Sequence, residues 1–388
     1  MNEHRIGRIE WAQLPGQRPR VAGCNARLGE HGQQVRLLMA RITTDDGLAG
    51  FGWSHLAREQ AASLIGAPLA DALGPSGTVG ERFRALEYPL LDLAGKLAGK
   101  PVYALIARRP LDEQAFRVSC YDTSLYMDDL QLADDERAAA LIASEALEGL
   151  ARGHVAFKIK VGRGAMHMPL EAGTARDICI VRAVREAAGP GARIMLDANN
   201  GYNLNLTKRV LAETADARIY WLEEPFHEDA RLYEHLKGWL VAQGLEPLIA
   251  DGEGDASPHL LDWARRGLVD VIQYDVLRPG FSSWLELGPQ LDGWRVRSAP
   301  HHYGEPYGNY AACHLAAAIE GFEAVEWDEA SVPGLDASAY SIAEGQVVVP
   351  NLPGFGLQLD DALYAKAVRE NGFVVEGSWS HDQVSSSI

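Results

Sequence analysis

Short apolar strand candidates alternate with helical stretches from residue 116 onward, and this alternation restricts the fold more than any other feature of the chain. The eight strand candidates are residues 117–122, 155–162, 193–199, 219–224, 248–253, 269–276, 296–301 and 324–328. Helical stretches separate them, with 134–152 and 228–243 the clearest. Eight strands in this βα rhythm predict an α/β fold with a closed TIM-type barrel. No long amphipathic helix directly follows the eighth strand, so the last helix of the barrel is predicted to be missing.

The segments on either side of the barrel predict a smaller second domain. Residues 6–57 contain antiparallel strand candidates, including a hairpin in which 35–42 is followed by 48–53. A Gly/Arg/Pro-rich loop over about 13–32 is predicted to form a flap over a site elsewhere. A late strand, 345–350, belongs to a tail that is predicted to complete the N-terminal domain. We therefore predict an α+β capping domain over 1–115, the barrel over 116–332, and a C-terminal segment over 333–388 that returns to the capping domain.

The composition narrows the class of partner. The chain has 388 residues and a formal net charge of −17, which argues against nucleic acid or an anionic membrane as a partner. No apolar run approaches the ~20 residues that span a bilayer, and the first residues lack the pattern of a signal peptide. The four cysteines are far apart, which favours free thiols in a reducing cytoplasm and neither disulfides nor a zinc site. We expect a cytoplasmic enzyme with a small-molecule substrate.

Ionisable side chains stand at the ends of seven of the eight strand candidates, where barrel enzymes carry their chemistry. They are Lys158 and Lys160, Asp197, Glu223, Glu253, Asp275, His301 and Glu326. From Asp197 onward the steps between them are 26, 30, 22, 26 and 25 residues, each of the size of one βα unit. Solubility alone does not explain seven strand ends in register. The pattern therefore predicts an active site at the carboxyl ends of the strands.

Three successive carboxylates, Asp197, Glu223 and Glu253, form the strongest part of this pattern. Neighbouring strands would bring them together, where unpaired carboxylates repel and raise one another's pKa. A hard divalent cation resolves that repulsion, and Mg²⁺ prefers oxygen ligands and keeps positions open for substrate. The alternative is a set of separate salt bridges to arginine, and Glu224 is a less favoured alternative to Glu223 as a ligand. The sequence predicts a magnesium site.

Two lysines lie at alternate positions of the second strand, so their ammonium groups share one face. Their repulsion is expected to lower the pKa of at least one of them, and a lysine with a lowered pKa can act as a general base. The alternative is a solvated edge strand with two surface lysines. The sites downstream favour the first interpretation, and the pattern leaves open which of the two lysines is the base.

Asp275 and His301 come from the strands on the other side of the carboxylates. An aspartate that accepts a hydrogen bond from one ring nitrogen orients a histidine and raises its basicity. Either His301 or the adjacent His302 can face inward, and the sequence leaves this choice open. Glu326 has two interpretations as well: a buried partner for a lysine, or a protonated carboxyl that hydrogen-bonds an anionic oxygen of the substrate.

These residues resemble the mandelate racemase subgroup of the enolase superfamily. The matching pieces are Lys158-Ile159-Lys160, Asp197-Ala198-Asn199, Glu223-Glu224-Pro225, Gly252-Glu253, Gln273-Tyr274-Asp275, Pro300-His301 and Glu326, together with Asp92-Leu93-Ala94-Gly95-Lys96 and Pro353-Gly354-Phe355-Gly356. The resemblance covers nearly the whole chain. It implies an α+β capping domain over a modified (β/α)7β barrel, in agreement with the missing last helix, and a symmetric homo-oligomer.

The resemblance also implies a shared partial reaction in which a substrate carboxylate binds Mg²⁺ and its α-proton is removed to give an enediolate. In this sequence Lys160 would be the base on one face and the His301–Asp275 pair would serve the other. Glu326 would hydrogen-bond the substrate carboxylate, and Asn199 would contact a substrate oxygen.

Dehydration is the commoner outcome in this subgroup, so we predict loss of water from an aldonate or aldarate to give a 2-keto-3-deoxy acid. Two alternatives stand beside it. One is racemisation or epimerisation of a 2-hydroxy acid. The other is a catalytically idle relative that binds metal and ligand as a regulator, although no base or metal ligand is missing from the sequence.

Overall fold

The computed structural model of the protein describes residues 4–74, 77–111 and 115–377. Residues 1–3 of the predicted capping domain and residues 378–388 of the predicted C-terminal segment lie outside the described residues. So do residues 112–114, next to the predicted boundary between the capping domain and the barrel. Among the described residues, none of the helices has the length and apolar character needed to cross a membrane. The domain boundaries remain predictions.

A four-stranded antiparallel sheet lies outside the barrel, and three of its strands and three helices precede the barrel in the described part of the chain. In chain order the elements are β1 (Ile6–Ala22), β2 (Gly32–Thr44), β3 (Ala49–Trp53), α1 (Arg58–Leu64), α2 (Glu87–Ala98) and α3 (Val102–Ile106). The sheet order is β16-β1-β2-β3, where β16 (Phe373–Glu376) comes from the end of the chain. The predicted hairpin between β2 and β3 is confirmed, with Met39 opposite Trp53 and Thr43 opposite Ala49.

The prediction of a loop over residues 13–32 is wrong for most of that range. Strand β1 continues to Ala22 and pairs with β2 through Leu14, Gly16 and Gln17, so that only the tip, residues 23–31, lies outside the strands. The prediction took the Pro-rich composition as a sign of a loop, because Pro15 and Pro19 lack the backbone N–H that hydrogen bonding between strands requires. Strand β16 covers β1 only from Arg8 to Trp11, and beyond it this edge of β1 meets an isolated bridge between Gln17 and Ser331. Pro15 and Pro19 therefore lie on an edge strand, where proline is tolerated.

The barrel follows in eight parallel strands with helices between them. Its elements are β4 (Arg117–Leu125), α4 (Asp135–Ala151), β5 (Ala156–Lys160), α5 (Leu170–Ala188), β6 (Arg193–Asp197), α6 (Leu204–Glu213), β7 (Ile219–Glu223), α7 (Ala230–Gln243), β8 (Leu248–Asp251), α8 (Leu260–Arg265), β9 (Val271–Ile272), α9 (Phe281–Trp294), β10 (Arg297–Ser298), α10 (Tyr307–Leu315) and β11 (Val325–Trp327). Strands β4 to β10 pair in sequence order and β11 pairs with β4. Between β10 and β11 the ring is closed by a bridge from Ser298 to Phe322. The predicted α/β barrel is confirmed.

Local sequence signals explain where the barrel helices begin. Asp134 caps α4 by accepting a hydrogen bond from the backbone N–H of Arg137 at 2.7 Å, and Asp229 caps α7 by accepting two backbone N–H bonds. Two strands, β9 and β10, are only two residues long, where longer strands were predicted. Their backbones continue alongside each other as far as the bridge between Asp275 and His301, so the predicted strand ends still meet.

The C-terminal segment adds strands to both the barrel sheet and the N-terminal sheet. It contains β12 (Leu335–Asp336), β13 (Ser341–Ala343), β14 (Gln346–Val348), β15 (Gln358–Leu359), α11 (Asp361–Asn371) and β16. The late strand predicted over 345–350 corresponds to β14, but it pairs antiparallel with barrel strand β4. The return to the N-terminal sheet is made by α11, which packs on β1, and by β16.

Asp92 on α2 joins the N-terminal helices to the C-terminal segment. Its buried carboxylate accepts backbone N–H bonds from Phe51 at 3.0 Å and Phe355 at 3.1 Å, and it pairs with Lys96 at 2.7 Å. Asp92→Ala would leave all three donors without this acceptor, so we expect the free energy of unfolding to fall by about 3 kcal/mol in urea denaturation. Asp216→Ala at an exposed position is the control. Equal stability of the two variants would contradict this role.

Candidate active site

The interior of the barrel is built in layers by the alternation of side chains along each strand. The lower layer has one apolar residue from each strand or its immediate flank: Tyr121, Ala156, Met195, Trp221, Ala250, Val271, Ala299 and Ala324. Two positions further on, seven of the eight strands place a polar side chain: Thr123, Lys158, Asp197, Glu223, Gln273, His301 and Glu326. The eighth strand has Gly252 at that level, followed by Glu253. The apolar layer therefore closes the barrel below a polar site.

The three predicted metal ligands converge. Asp197 and Glu223 are buried, Glu253 is half-buried, and one carboxylate oxygen from each lies within 4.8 Å of the others. In the ladder Asp197 stands directly opposite Glu223, so the strand register itself places the two side by side. Burial and the neighbouring Asp197 raise the pKa of Glu223 to about 8, which is the repulsion expected of gathered carboxylates. A set of three oxygen donors at this spacing fits Mg²⁺.

Glu224 does not belong to this cluster. Its backbone is left-handed, with φ of 41°, and its carboxylate accepts hydrogen bonds from the amide groups of Asn199 at 3.1 Å and Asn200 at 2.9 Å. The side-chain amide of Asn199 also donates to Glu253 at 3.1 Å. The side-chain oxygen of Asn199, Oδ1, is buried with no hydrogen-bond partner among the described residues. Asn199 is thus held beside the metal ligands with a free acceptor, at the place expected of a residue that contacts substrate.

Both lysines are buried at the site, so the alternative of a solvated edge strand is wrong. Lys158 Nζ lies 2.7 Å from Glu223 Oε1, 2.8 Å from Glu326 Oε1 and 3.5 Å from Asp197 Oδ2. Lys160 Nζ donates a short hydrogen bond to Asp197 Oδ2. The two ammonium groups are therefore embedded among the carboxylates of the site.

These contacts make the prediction of a lowered lysine pKa wrong. Burial and Lys158 do act to lower the pKa of Lys160, but the attraction of Asp197, together with Glu253 and Glu223, outweighs them and raises it. The pKa of Lys158 is raised well above its usual value, since Glu223 and Glu326 outweigh the effect of its burial. Repulsion between the lysines is real, and the sequence prediction left out the carboxylates that offset it.

His301, rather than His302, faces the site. Its Nδ1 lies 2.5 Å from Asp275 Oδ1, and its Nε2 lies 3.1 Å from Glu253 Oε2. Burial disfavours the charged imidazole, yet Glu253, Glu326 and Asp275 together raise the pKa of His301 to about 10. The ring of His302 is occupied elsewhere, with Nε2 2.7 Å from the backbone oxygen of Glu326. The predicted pair of Asp275 and His301 is thus formed in the structure.

Glu326 is held as an anion. Lys158 and the hydroxyl of Thr123, which donates at 2.6 Å, contact the same carboxylate oxygen, and the backbone N–H of His302 contacts the other at 3.1 Å. Although burial opposes its charge, Lys158 and His301 lower the pKa of Glu326 far below its usual value. This geometry matches the interpretation as a buried partner for a lysine and does not favour a protonated carboxyl.

Two polar residues of the site were given no role in the sequence prediction. Gln273 donates from Nε2 to Glu223 Oε2 at 2.9 Å, and Thr123 donates to Glu326. The signal that finds them is the two-residue step from the apolar layer, from Val271 to Gln273 and from Tyr121 to Thr123.

Comparison with known proteins agrees with this architecture. Residues 141–363 match the family described as enolase C-terminal domain-like. A galacturonate dehydratase from Geobacillus sp., solved with D-galacturonate and 5-keto-4-deoxy-D-galacturonate, is 51% identical, with a TM-score of 0.93 over 97% of this chain and 100% of that chain. A mandelate racemase/muconate lactonizing protein from Geobacillus sp., solved with magnesium and tartrate, is also 51% identical, with a TM-score of 0.95 over 97% and 98% of the two chains.

Among curated proteins, a D-galactarolactone cycloisomerase from Agrobacterium fabrum is 29% identical over 84% of this chain and 90% of its own. The family match covers more than half of the chain, and the Geobacillus proteins match it almost from end to end. This chain therefore belongs to the enolase superfamily, in the mandelate racemase/muconate lactonizing subgroup.

Proposed function

We propose that this protein is a Mg²⁺-dependent acid-sugar dehydratase that converts D-galacturonate to 5-keto-4-deoxy-D-galacturonate. The observation that carries the proposal is the identity of 51% over nearly the whole chain to a galacturonate dehydratase solved with that substrate and product. The buried carboxylates, the paired lysines and the oriented histidine supply the groups that such a reaction requires.

The proposed substrate is a uronate, whereas the sequence prediction favoured an aldonate or aldarate. The chemistry of the reacting carbons is the same. Counted from the carboxylate carbon, the keto group of the product is on the second carbon and the deoxy position is the third. The difference lies at the far end of the sugar, beyond the two carbons that react.

When bound, Mg²⁺ supplies positive charge beside the carboxylate of the substrate, where negative charge grows as the α-proton leaves. Asp197, Glu223 and Glu253 would hold it, and Gln273 keeps Glu223 oriented by its hydrogen bond. The side-chain oxygen of Asn199, which has no partner among the described residues, lies next to these ligands and would accept a hydrogen bond from a substrate hydroxyl.

Lys160 takes the α-proton on its Nζ. The ammonium of Lys158 acts to lower the pKa of Lys160 and the carboxylate of Asp197 acts to raise it, and a Mg²⁺ ion held by Asp197 would offset the charge of that carboxylate. His301 gives a proton to the β-hydroxyl, which leaves as water when the C–O bond breaks, and Asp275 holds the ring for that transfer. The electron pair of the broken C–H bond becomes the new C=C bond, and the enol that results tautomerises to the keto acid.

Conversion of D-galacturonate is the direct test. We expect the purified protein with Mg²⁺ to form the keto acid, observed by NMR, and to lose activity when EDTA removes the metal. D-Galactonate and galactarate are the comparison substrates, and faster turnover of either would move the assignment to that acid. Exchange of the α-proton in D₂O without elimination would point instead to a racemase or epimerase, and binding without either reaction would point to a regulator.

The assembly and the location are proposed on the resemblance to the subgroup. A symmetric homo-oligomer is expected in size-exclusion chromatography with light scattering. A cytoplasmic location fits the four cysteines, all of which are free thiols in the structure.

A further inference from the structure

Aromatic side chains gather above the Lys160 side of the site, where the tip of the β1–β2 hairpin meets the barrel. The ring of His31, the residue just before β2, packs edge-on against Tyr126, with 4.9 Å between ring centroids, and against Tyr303 at 5.6 Å. Tyr126 and Tyr303 stack on each other at 4.8 Å, and Lys160 Nζ lies 5.3 Å from the centroid of Tyr126. This contact brings His31 from the N-terminal sheet to the edge of the catalytic site.

Two polar atoms of this group are buried and unused. Nε2 of His31 and the hydroxyl oxygen of Tyr303 have no hydrogen bond of good geometry among the residues that the structure describes, although the hydroxyl of Tyr126 lies close enough to that of Tyr303 to affect its pKa. Most buried polar atoms in proteins are hydrogen-bonded, so an unpartnered one at the edge of a catalytic site calls for an explanation. The core hydroxyls of Tyr121 and Tyr307 also lack a partner among the described residues, so His31 and Tyr303 are distinguished by their position beside the catalytic groups. The two free atoms fit a bound ligand.

The position of the two residues identifies which part of a ligand they can reach. Tyr303 lines a cavity of about 170 Å³ together with His301, Asp275 and Glu305. His31 is close enough to Lys160 for its ammonium to lower the pKa of the imidazole. The apolar layer fills the barrel beneath the site, so a chain that starts at the metal ligands can extend only upward, toward the hairpin tip.

The group is uncharged, which limits the chemistry that it recognises. Burial, with help from Lys160 and Arg18, lowers the pKa of His31 to about 4, so the ring carries one N–H donor and one acceptor at neutral pH. Burial also raises the pKa of Tyr303, which stays a phenol. The guanidinium of Arg18 lies 4.3 Å over Tyr303 and is paired with Asp328 at 3.4 Å. Neutral donors and acceptors suit hydroxyl groups better than a second carboxylate.

We propose that His31 and Tyr303 form a clamp that hydrogen-bonds the hydroxyl groups on the sugar carbons beyond the two that react. The proposal rests on the assignment of the protein as a sugar-acid dehydratase. It makes His31 and Tyr303 specificity-determining residues, because a shorter acid would leave their polar atoms buried and unpaired while a longer one would satisfy them.

The test uses His31→Phe and Tyr303→Phe in the full-length enzyme with Mg²⁺, since each variant keeps an aromatic ring and removes the polar atom. We expect kcat/KM for D-galacturonate to fall by roughly 10-fold to 100-fold, mainly through KM. Tartronate, a three-carbon acid that ends before the clamp, should inhibit the variants within about threefold of wild type. His31→Gln, which retains an N–H donor, should recover part of the loss.

His235→Phe on the outer side of α7 is the control, because His235 is exposed. Circular dichroism checks that the variants are folded, and Tyr303→Phe, which removes a single oxygen, keeps the test decisive should His31→Phe fold poorly. Values of kcat/KM for D-galacturonate within about twofold of wild type would overturn the clamp, as would equal losses for D-galacturonate and tartronate. If wild type itself forms no product from D-galacturonate, the proposed function fails, which is a distinct result.

Discussion

Replacing His301 with asparagine should abolish formation of the keto acid while the α-proton of the substrate continues to exchange with solvent. His301 is assigned to the departure of the β-hydroxyl, and Lys160 to the removal of the α-proton, so the first step survives the loss of the histidine. A positioned general acid contributes on the order of 10²–10⁴-fold, and we expect a loss of kcat in that range. NMR in D₂O measures exchange and product in one sample.

Lys160→Met is the complementary variant. Because Lys160 is the only group assigned to the first step, this substitution should remove both exchange and product. His235→Asn on the exposed side of α7 controls for the loss of a histidine as such. Exchange that disappears in His301→Asn and persists in Lys160→Met would reverse the two assignments, and the histidine would then be the base.

The positions of the site residues could be read from the sequence because the barrel repeats one geometry. Seven of the eight strands run from an apolar position into a polar one two residues later, as in Met195 to Asp197 and Trp221 to Glu223. Side chains two apart on a strand share a face, so the polar residues had to meet once the strands closed into a ring. The convergence of Asp197 and Glu223 follows from that rule, whereas Glu253 stands one position beyond it, after Gly252.

Contacts that depend on three-dimensional packing were beyond the same reasoning. The sequence showed Lys158 and Lys160 as neighbours along one strand, but the carboxylates that raise their pKa come from other strands. His31 stands in a Gly/Arg-rich tip with no periodicity, and only the folded hairpin brings it to Tyr303, 272 positions away in the chain. Long-range placement of a loop leaves no local pattern to recognise.

Asp197→Asn should remove Mg²⁺ binding and also destabilise the metal-free protein, because Asp197 has two tasks. It is a predicted metal ligand, and it is the hydrogen-bond acceptor of buried Lys160, with Lys158 at 3.5 Å. These lysines outweigh the effect of burial and lower the pKa of Asp197 to about 2, so its negative charge is favoured where it stands. Removing one partner of a buried pair costs about 3–5 kcal/mol, which urea denaturation in EDTA measures.

Glu253→Gln separates the two tasks. Glu253 is half-buried, and no salt bridge joins it to either lysine among the described residues, its nearest cation being His301 at 3.1 Å. We expect calorimetry to show a loss of Mg²⁺ affinity of at least about 100-fold in both variants, but a fall in metal-free stability of only about 1 kcal/mol in Glu253→Gln. Asp262→Asn, at an exposed surface pair, should change neither quantity. Wild-type Mg²⁺ affinity in Asp197→Asn would remove that residue from the metal site, and wild-type stability would show that the lysines do not depend on it.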